Sequence, residues 1–145
     1  MNNPIVVVDA DAIVAQAYPD DSNHKLAVTI SGMLNNFNAQ VIYPASAILE
    51  ATTVLQSRLN SGATAYGTAV AFTDPNIQIA EVNQTTVGRA IKYFSPTTSK
   101  KNTLFDCIVA AVAEEYKADA IFSFDKFYKR VCKIPLANEV FKLRL

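Results

Sequence analysis

The run Ile5-Val6-Val7-Val8-Asp9-Ala10-Asp11 decides how this chain reads. Four β-branched residues lead straight into an acid, and a second acid comes two positions on. A continuous apolar run of this kind suits a strand buried on both faces, as in a parallel sheet. Such a strand delivers the residues at its end to the carboxyl edge of the sheet, where open α/β folds place their sites. Asp9 is therefore expected at the rim of a cleft, with Asp11 beside it. Carboxylates that close repel each other, and each is costly to desolvate unless positive charge joins them. No Lys or Arg lies between Pro4 and His24 to supply it, whereas a bound cation would. The plainer reading is an Asp that caps the next helix or opens a turn.

Working outward, 145 residues suit one domain, 1–145, with a substantial core. Half of them are apolar, which argues against disorder. The formal net charge is zero, so no global basic field marks a nucleic-acid binder. The halves differ: residues 1–72 carry two Lys/Arg against five Asp/Glu, and residues 73–145 carry eleven against eight. Beyond Asp125 the tail holds Lys126, Lys129, Arg130, Lys133, Lys142 and Arg144 against Glu139 alone. Such a run guides a polyanion or is simply a solvated face. Cys107 and Cys132 have neither metal-type spacing nor a disulfide framework, and suit a reducing compartment. The start, Met-Asn-Asn-Pro, lacks the marks of a signal peptide, and no apolar run nears the ~20 residues of a membrane span. A soluble, cytoplasmic protein without membrane partners is expected. His24, the single histidine, is expected to face solvent, and the four glycines form no phosphate loop.

Periodicity then alternates strands with helices. A strand over 4–9 precedes a short helix at 12–18, stopped by Pro19. A turn caps a helix over 23–37 with Leu26, Ile30, Met33, Leu34 and Phe37 on one face. A strand at 40–43 ends at Pro44 and leads into helices over 45–60 and 63–73. Next come a strand over 77–82, a helix over 85–94, a polar loop at 95–102, a helix over 103–117 and a strand over 118–123. After Asp125, a loop with a short helix leads to a last edge strand near 138–142. The class is α/β: a three-layer α/β/α sandwich with a central, mostly parallel sheet of four to five strands.

Three further acids keep unusual company. Glu50 lies in the first turns of a helix, with Ser46, Ala47, Thr53 and Val54 three and four residues away and no cation among them. Asp106 opens the apolar run Cys107-Ile108-Val109-Ala110-Ala111-Val112, where Thr103 and Asp106 also suit a capping box. Asp125 comes just after the strand ending at Ser123, and so shares the sheet edge with Asp9. A helix N-terminus near Glu50, or an ion pair of Asp125 with Lys126 or Lys129, would be the plainer explanation of each. Taken together, the four positions converge in a parallel sheet. An all-oxygen cluster there suits Mg²⁺ or Mn²⁺ and phosphoryl chemistry.

The segments Val-Val-Val-Asp9-Ala-Asp11, Ala-Ile-Leu-Glu50-Ala, Leu-Phe-Asp106-Cys-Ile-Val-Ala-Ala-Val-Ala and Ser123-Phe-Asp125-Lys-Phe-Tyr agree in order, spacing and element type with the PIN domain. The chain resembles that family over almost its whole length. The resemblance implies a metal-dependent endoribonuclease that hydrolyses RNA phosphodiester bonds at a four-carboxylate Mg²⁺ or Mn²⁺ site of Asp9, Glu50, Asp106 and Asp125. Compact members are typically toxins of type II toxin–antitoxin modules, the VapC kind, so it also implies an antitoxin protein and a homodimer. Ser123 matches the family's Thr/Ser, which supports the acids from behind. Asp11 departs from the family's more usual Asn or Ser; an extra acid there enlarges the metal site or caps the first helix. Lys126, Lys129 and Arg130 are candidate phosphate contacts for single-stranded or looped RNA. The exposed side of helices 45–60 and 63–73 is the candidate self-contact.

Two other readings stand beside this one. Asp9-Ala-Asp11 imitates the Asp-x-Asp of haloacid-dehalogenase-type phosphatases, but the late Gly-Asp-x-x-x-Asp stretch of that class is missing. A PIN-like binding or scaffold protein without nuclease activity is the other, although clustered acids without metal destabilise a fold.

Overall fold

Val6, Val7 and Val8 are wholly withdrawn from solvent. They lie in strand β1 (Ile5–Val8), which has a neighbour on either side. The computed structural model describes residues 3–142. Strand β2 (Gln40–Pro44) pairs with β1 in parallel, and β3 (Gln78–Ala80) extends the sheet beyond β2. Strand β4 (Ala120–Phe122) pairs in parallel with the other side of β1, giving the order β3-β2-β1-β4. Val7 thus sits between Ile42 and Ile121 in register.

Successive residues of β1 face opposite layers, as strand geometry requires. Val6 and Val8 pack into a core with helices α1 (Ala10–Ala17), α2 (His24–Asn36) and α3 (Ala45–Thr53), and with Ala65 of α4 (Gly62–Ala71). Val7 packs into a second core with Ala90 of α5 (Gln84–Ala90), the buried stretch Cys107–Ala113 of α6 (Leu104–Glu115), and Phe127 and Tyr128 of α7 (Phe127–Arg130). This is the three-layer arrangement expected from the alternation. A helix apolar all round belongs in an interior, and the seven successive residues of α6 from Cys107 are all buried.

Two of the expected elements take other forms. The helix expected over 45–60 is α3 followed by a π-helical turn, Val54–Arg58, in which the Leu59 N–H reaches back five residues to the Val54 carbonyl. The edge strand expected near 138–142 is instead helix α8 (Ala137–Lys142), so the sheet has four strands. The reason is the core. Ala137 and Phe141, one helical turn apart, are both fully buried, and Phe141 meets Phe37 with ring centres 5.7 Å apart. A strand would have turned neighbouring Val140 and Phe141 to opposite faces. The free side of β4 carries only a bridge from Ile121 to Leu136.

The layers bring the acids to one edge. β1 passes straight into α1, and the Asp9 N–H still donates to the Phe122 carbonyl (3.0 Å), so its side chain emerges where the ladder ends. Ile121, fully buried between Val7 and the Leu136 bridge, anchors the strand that carries Ser123. Ile121→Ala is expected to cost about 2–5 kcal/mol, read as a lower urea midpoint at unchanged slope. A midpoint indistinguishable from wild type would contradict this packing.

Candidate active site

Asp9 caps α1 and is only 3% exposed. Its Oδ1 accepts from the Ala10 N–H (2.7 Å), while its Oδ2 meets the hydroxyls of Tyr128 (2.8 Å) and Ser123 (3.2 Å). Asp11, in the first turn of α1, reaches across to the segment after β4: its Oδ2 accepts from Ser123 Oγ (3.0 Å) and the Phe124 N–H (2.8 Å). Asp125 accepts from the Phe127 N–H on Oδ1 (2.9 Å) and from Asn102 Nδ2 on Oδ2 (2.8 Å). Asp106 accepts from the Thr103 N–H on Oδ2 (2.8 Å), the reciprocal half of a capping box. Its other oxygen faces the Tyr128 hydroxyl (3.3 Å). Glu50 projects from α3 and accepts no hydrogen bond among the described residues. All five acids line one cavity of about 290 Å³, together with Asp21, Asn23 and Arg58.

The hydroxyl protons are too few for this set. Ser123 has one proton and stands against both Asp9 and Asp11; Tyr128 has one and stands against both Asp9 and Asp106. Asp11 Oδ1 is buried with no donor at all. The acids respond by keeping their protons to higher pH than usual. Burial, followed by repulsion from Asp11 and Asp106, pushes Asp9 well above the usual carboxylate range. Burial pushes Asp11 up to about 6 despite the bonds from Phe124 and Ser123. Burial, then Asp106 and Asp11, push Glu50 up to about 7 against the pull of Arg58. Asp106 is raised by burial and by Asp125. Burial and the surrounding acids also keep the Tyr128 hydroxyl protonated. The N-termini of α1 and α6 add partial positive charge at Asp9, Asp11 and Asp106. Among the described residues, Arg58 is the one full cation on the cavity wall.

The structure brings together Asp9, Asp11, Glu50, Asp106, Asp125 and Ser123 as the pattern anticipated, with changes of detail. Asp9, not Asp11, is the helix cap, while Asp11 ties α1 to the segment after β4. Lys126, Lys129 and Arg130 do not line the carboxylate cavity. Lys129 is paired with Glu139 (2.9 Å), and Arg130 lines a different cavity. Arg144 of the basic tail lies outside the described residues. His24 is half-buried rather than solvent-facing, with Nδ1 2.7 Å from the Ala15 carbonyl oxygen. Three residues escaped the pattern: Tyr128, Asn102 and Arg58. A search two helical turns beyond Glu50, instead of one, would have reached Arg58.

The donor chemistry suits a hard divalent cation, since every candidate ligand is a carboxylate oxygen. The donorless Asp11 Oδ1 and the unbonded Glu50 carboxylate mark where positive charge is missing. Among the described residues no three acids already stand as a closed ion-binding group, for the two hydroxyls hold them in their present arrangement. The cavity thus has the chemistry for a cation without the closed geometry.

The family model for the PIN domain matches residues 6–134. The chain belongs to the PIN domain family. Among solved structures, this PIN domain matches VapC20 of Mycobacterium tuberculosis, described as a toxin that cleaves the sarcin–ricin loop. The TM-score is 0.72 and the sequence identity 15%, over 83% of this chain and 90% of that one. At that identity the likeness is one of fold. No curated protein matches the PIN domain chain in sequence. No helix among the described residues is long and apolar enough to cross a membrane.

The raised acids set a direction for pH. An acid whose folded pKa lies above its unfolded value stabilises the fold when protonated, and that contribution fades as pH rises through the folded pKa. For Glu50 the window runs from 4.5 to about 7. In EDTA, Glu50→Gln is expected to melt increasingly above wild type as pH rises from 5 to 8, measured by thermal unfolding. A gap that narrows with rising pH would contradict the electrostatics described.

Proposed function

We propose that this PIN domain is a metal-dependent endoribonuclease, with Asp9, Glu50, Asp106 and Asp125 holding Mg²⁺ or Mn²⁺. We further infer that it is the toxin of a type II toxin–antitoxin module, with RNA as substrate and an antitoxin protein as partner. The observation that carries the reading is the proton shortage: five acids from four segments share one cavity with two hydroxyl protons between three of them. A structure that tolerates this needs a cation to complete it. The description of VapC20 as an RNA-loop-cleaving toxin supports the same assignment.

A bound divalent ion supplies Lewis acidity to the attacking water and the leaving oxygen. The chain supplies the rest. Tyr128 and Ser123 hold the Asp9 carboxylate in place, and Asn102 and the Phe127 N–H hold that of Asp125. Such fixed donors leave little reorganisation for the moment of reaction. Burial and the neighbouring acids push Glu50 up to about 7, and a cation held beside it would favour its charged form. Arg58 meets the phosphate at the mouth of the cavity and offsets charge developing on it. We place a homodimer contact on the face of α3 and α4, where Leu49, Tyr66 and Val70 are exposed.

The phosphatase alternative requires a late Gly-Asp-x-x-x-Asp stretch that the chain lacks. The scaffold alternative is separated by activity. Purified protein is to be incubated with a mixed RNA pool in Mg²⁺, in Mn²⁺ and in EDTA. Metal-dependent cleavage is expected, with Asp106→Asn reducing it by at least ~10²-fold and Arg58→Ala lowering kcat/KM by roughly 10- to 10²-fold. Full cleavage by Asp106→Asn with its fold intact would sink the assignment. No cleavage by wild type under any condition would favour the scaffold.

A further inference from the structure

A second cavity, of about 530 Å³, is bounded by the stretch from Lys92 to Asn102 and by α7. Its size falls within the ~300–1,000 Å³ usual for small-molecule sites. It is tied to the carboxylate cavity through Asp125: Asn102 and Phe127, the two residues that hold that carboxylate, both line it. Asp125 itself lines the first cavity. The two spaces differ sharply in charge. Five acids of the site line the first, and no Asp or Glu lines the second. The charge of Lys92 is taken up by Glu114, which leaves Arg130, exposed and without an ion pair among the described residues, as the available cation of the lining. Phe94 is 41% exposed there, and the loop adds hydroxyls such as those of Thr97 and Ser99.

An aromatic face, a guanidinium and several hydroxyls are the groups that recognise an unpaired nucleotide. The base stacks, the phosphate pairs with the cation, and the hydroxyls meet base edges or the ribose. The geometry points to this groove as the subsite for the nucleotide adjoining the scissile phosphate, and so as the determinant of cleavage-sequence preference. A strand whose phosphate lies at the acids meets a cationic, acid-free space beyond Asp125, the carboxylate that Asn102 and the Phe127 N–H hold. This inference rests on the ribonuclease reading above.

The test uses the full chain, with Arg130→Ala and Phe94→Ala checked for unchanged melting, and a set of short single-stranded RNAs varied at each position flanking the cut. Both variants are expected to raise KM about tenfold and leave kcat within about twofold, because stacking and a phosphate contact are each worth that much. Base preference at one flanking position is expected to relax. The salt slope of binding should fall by about one for Arg130→Ala only. Unchanged KM and unchanged preference in both variants, with wild type cleaving normally, would overturn the subsite and leave the nuclease standing. If wild type cleaves nothing, binding of a fluorescently labelled single-stranded RNA decides. Loss of binding in both variants supports the groove as an RNA site while the nuclease reading fails, and no loss overturns it.

Discussion

Repulsion among carboxylates at one edge of a parallel sheet is the constraint to which the rest of this molecule answers. Asp9, Asp11 and Asp106 compete for the protons of Ser123 and Tyr128, and Glu50 stands near them without a donor. Such a cluster opposes folding unless the scaffold is rigid elsewhere. The scaffold meets that need with a strand buried on both faces, a helix buried over seven successive residues, and helix N-termini directed at the acids. Stability is concentrated in the two cores, and the charge conflict is confined to the cavity.

Much of this was legible from residue order. The β-branched run before Asp9 announced a central strand, and a parallel sheet then places the ends of β1 and β4 together whatever lies between them in sequence. Asp106 was legible twice over, because one oxygen caps α6 while the other faces Tyr128. The misses have physical causes. Val140 and Phe141 have strand propensity, but the site for Phe141 beside Phe37 accepts a helix, and tertiary packing overrides so weak a preference. Tyr128 and Asn102 act through hydrogen bonds to acids 119 and 23 positions away, a relation that no local periodicity encodes. Lys129 has the setting of a phosphate contact in sequence, but in the fold Glu139, one helix away, takes up its charge.

The zero net charge conceals a local separation of sign. The carboxylate cavity gathers acids contributed from both halves of the chain, while the adjoining groove is lined without any. Asn102 and Phe127 of the groove orient Asp125 of the cavity, so whatever presses on the loop around Asn102 also presses on a carboxylate of the cavity. A whole-chain charge count averages this separation away, and a basic stripe is not needed to guide a polyanion along so short a path.

The π-helical turn at Val54–Arg58 has a consequence for the spacing of charge along the cavity. Its backbone holds one residue more than an α-helical turn, as the five-residue reach from Leu59 to Val54 records. Removing a single residue there would close this wide loop into an α-helical turn, so the extra residue is what widens the helix at this point. Glu50 lies before the turn and Arg58 is its last residue, so the widened turn sets the spacing between two opposite charges that line the cavity. The turn therefore acts as a spacer: its length fixes how far the cation stands from the acid, and Leu55 within it and Ala65 beyond it tie that length to the core.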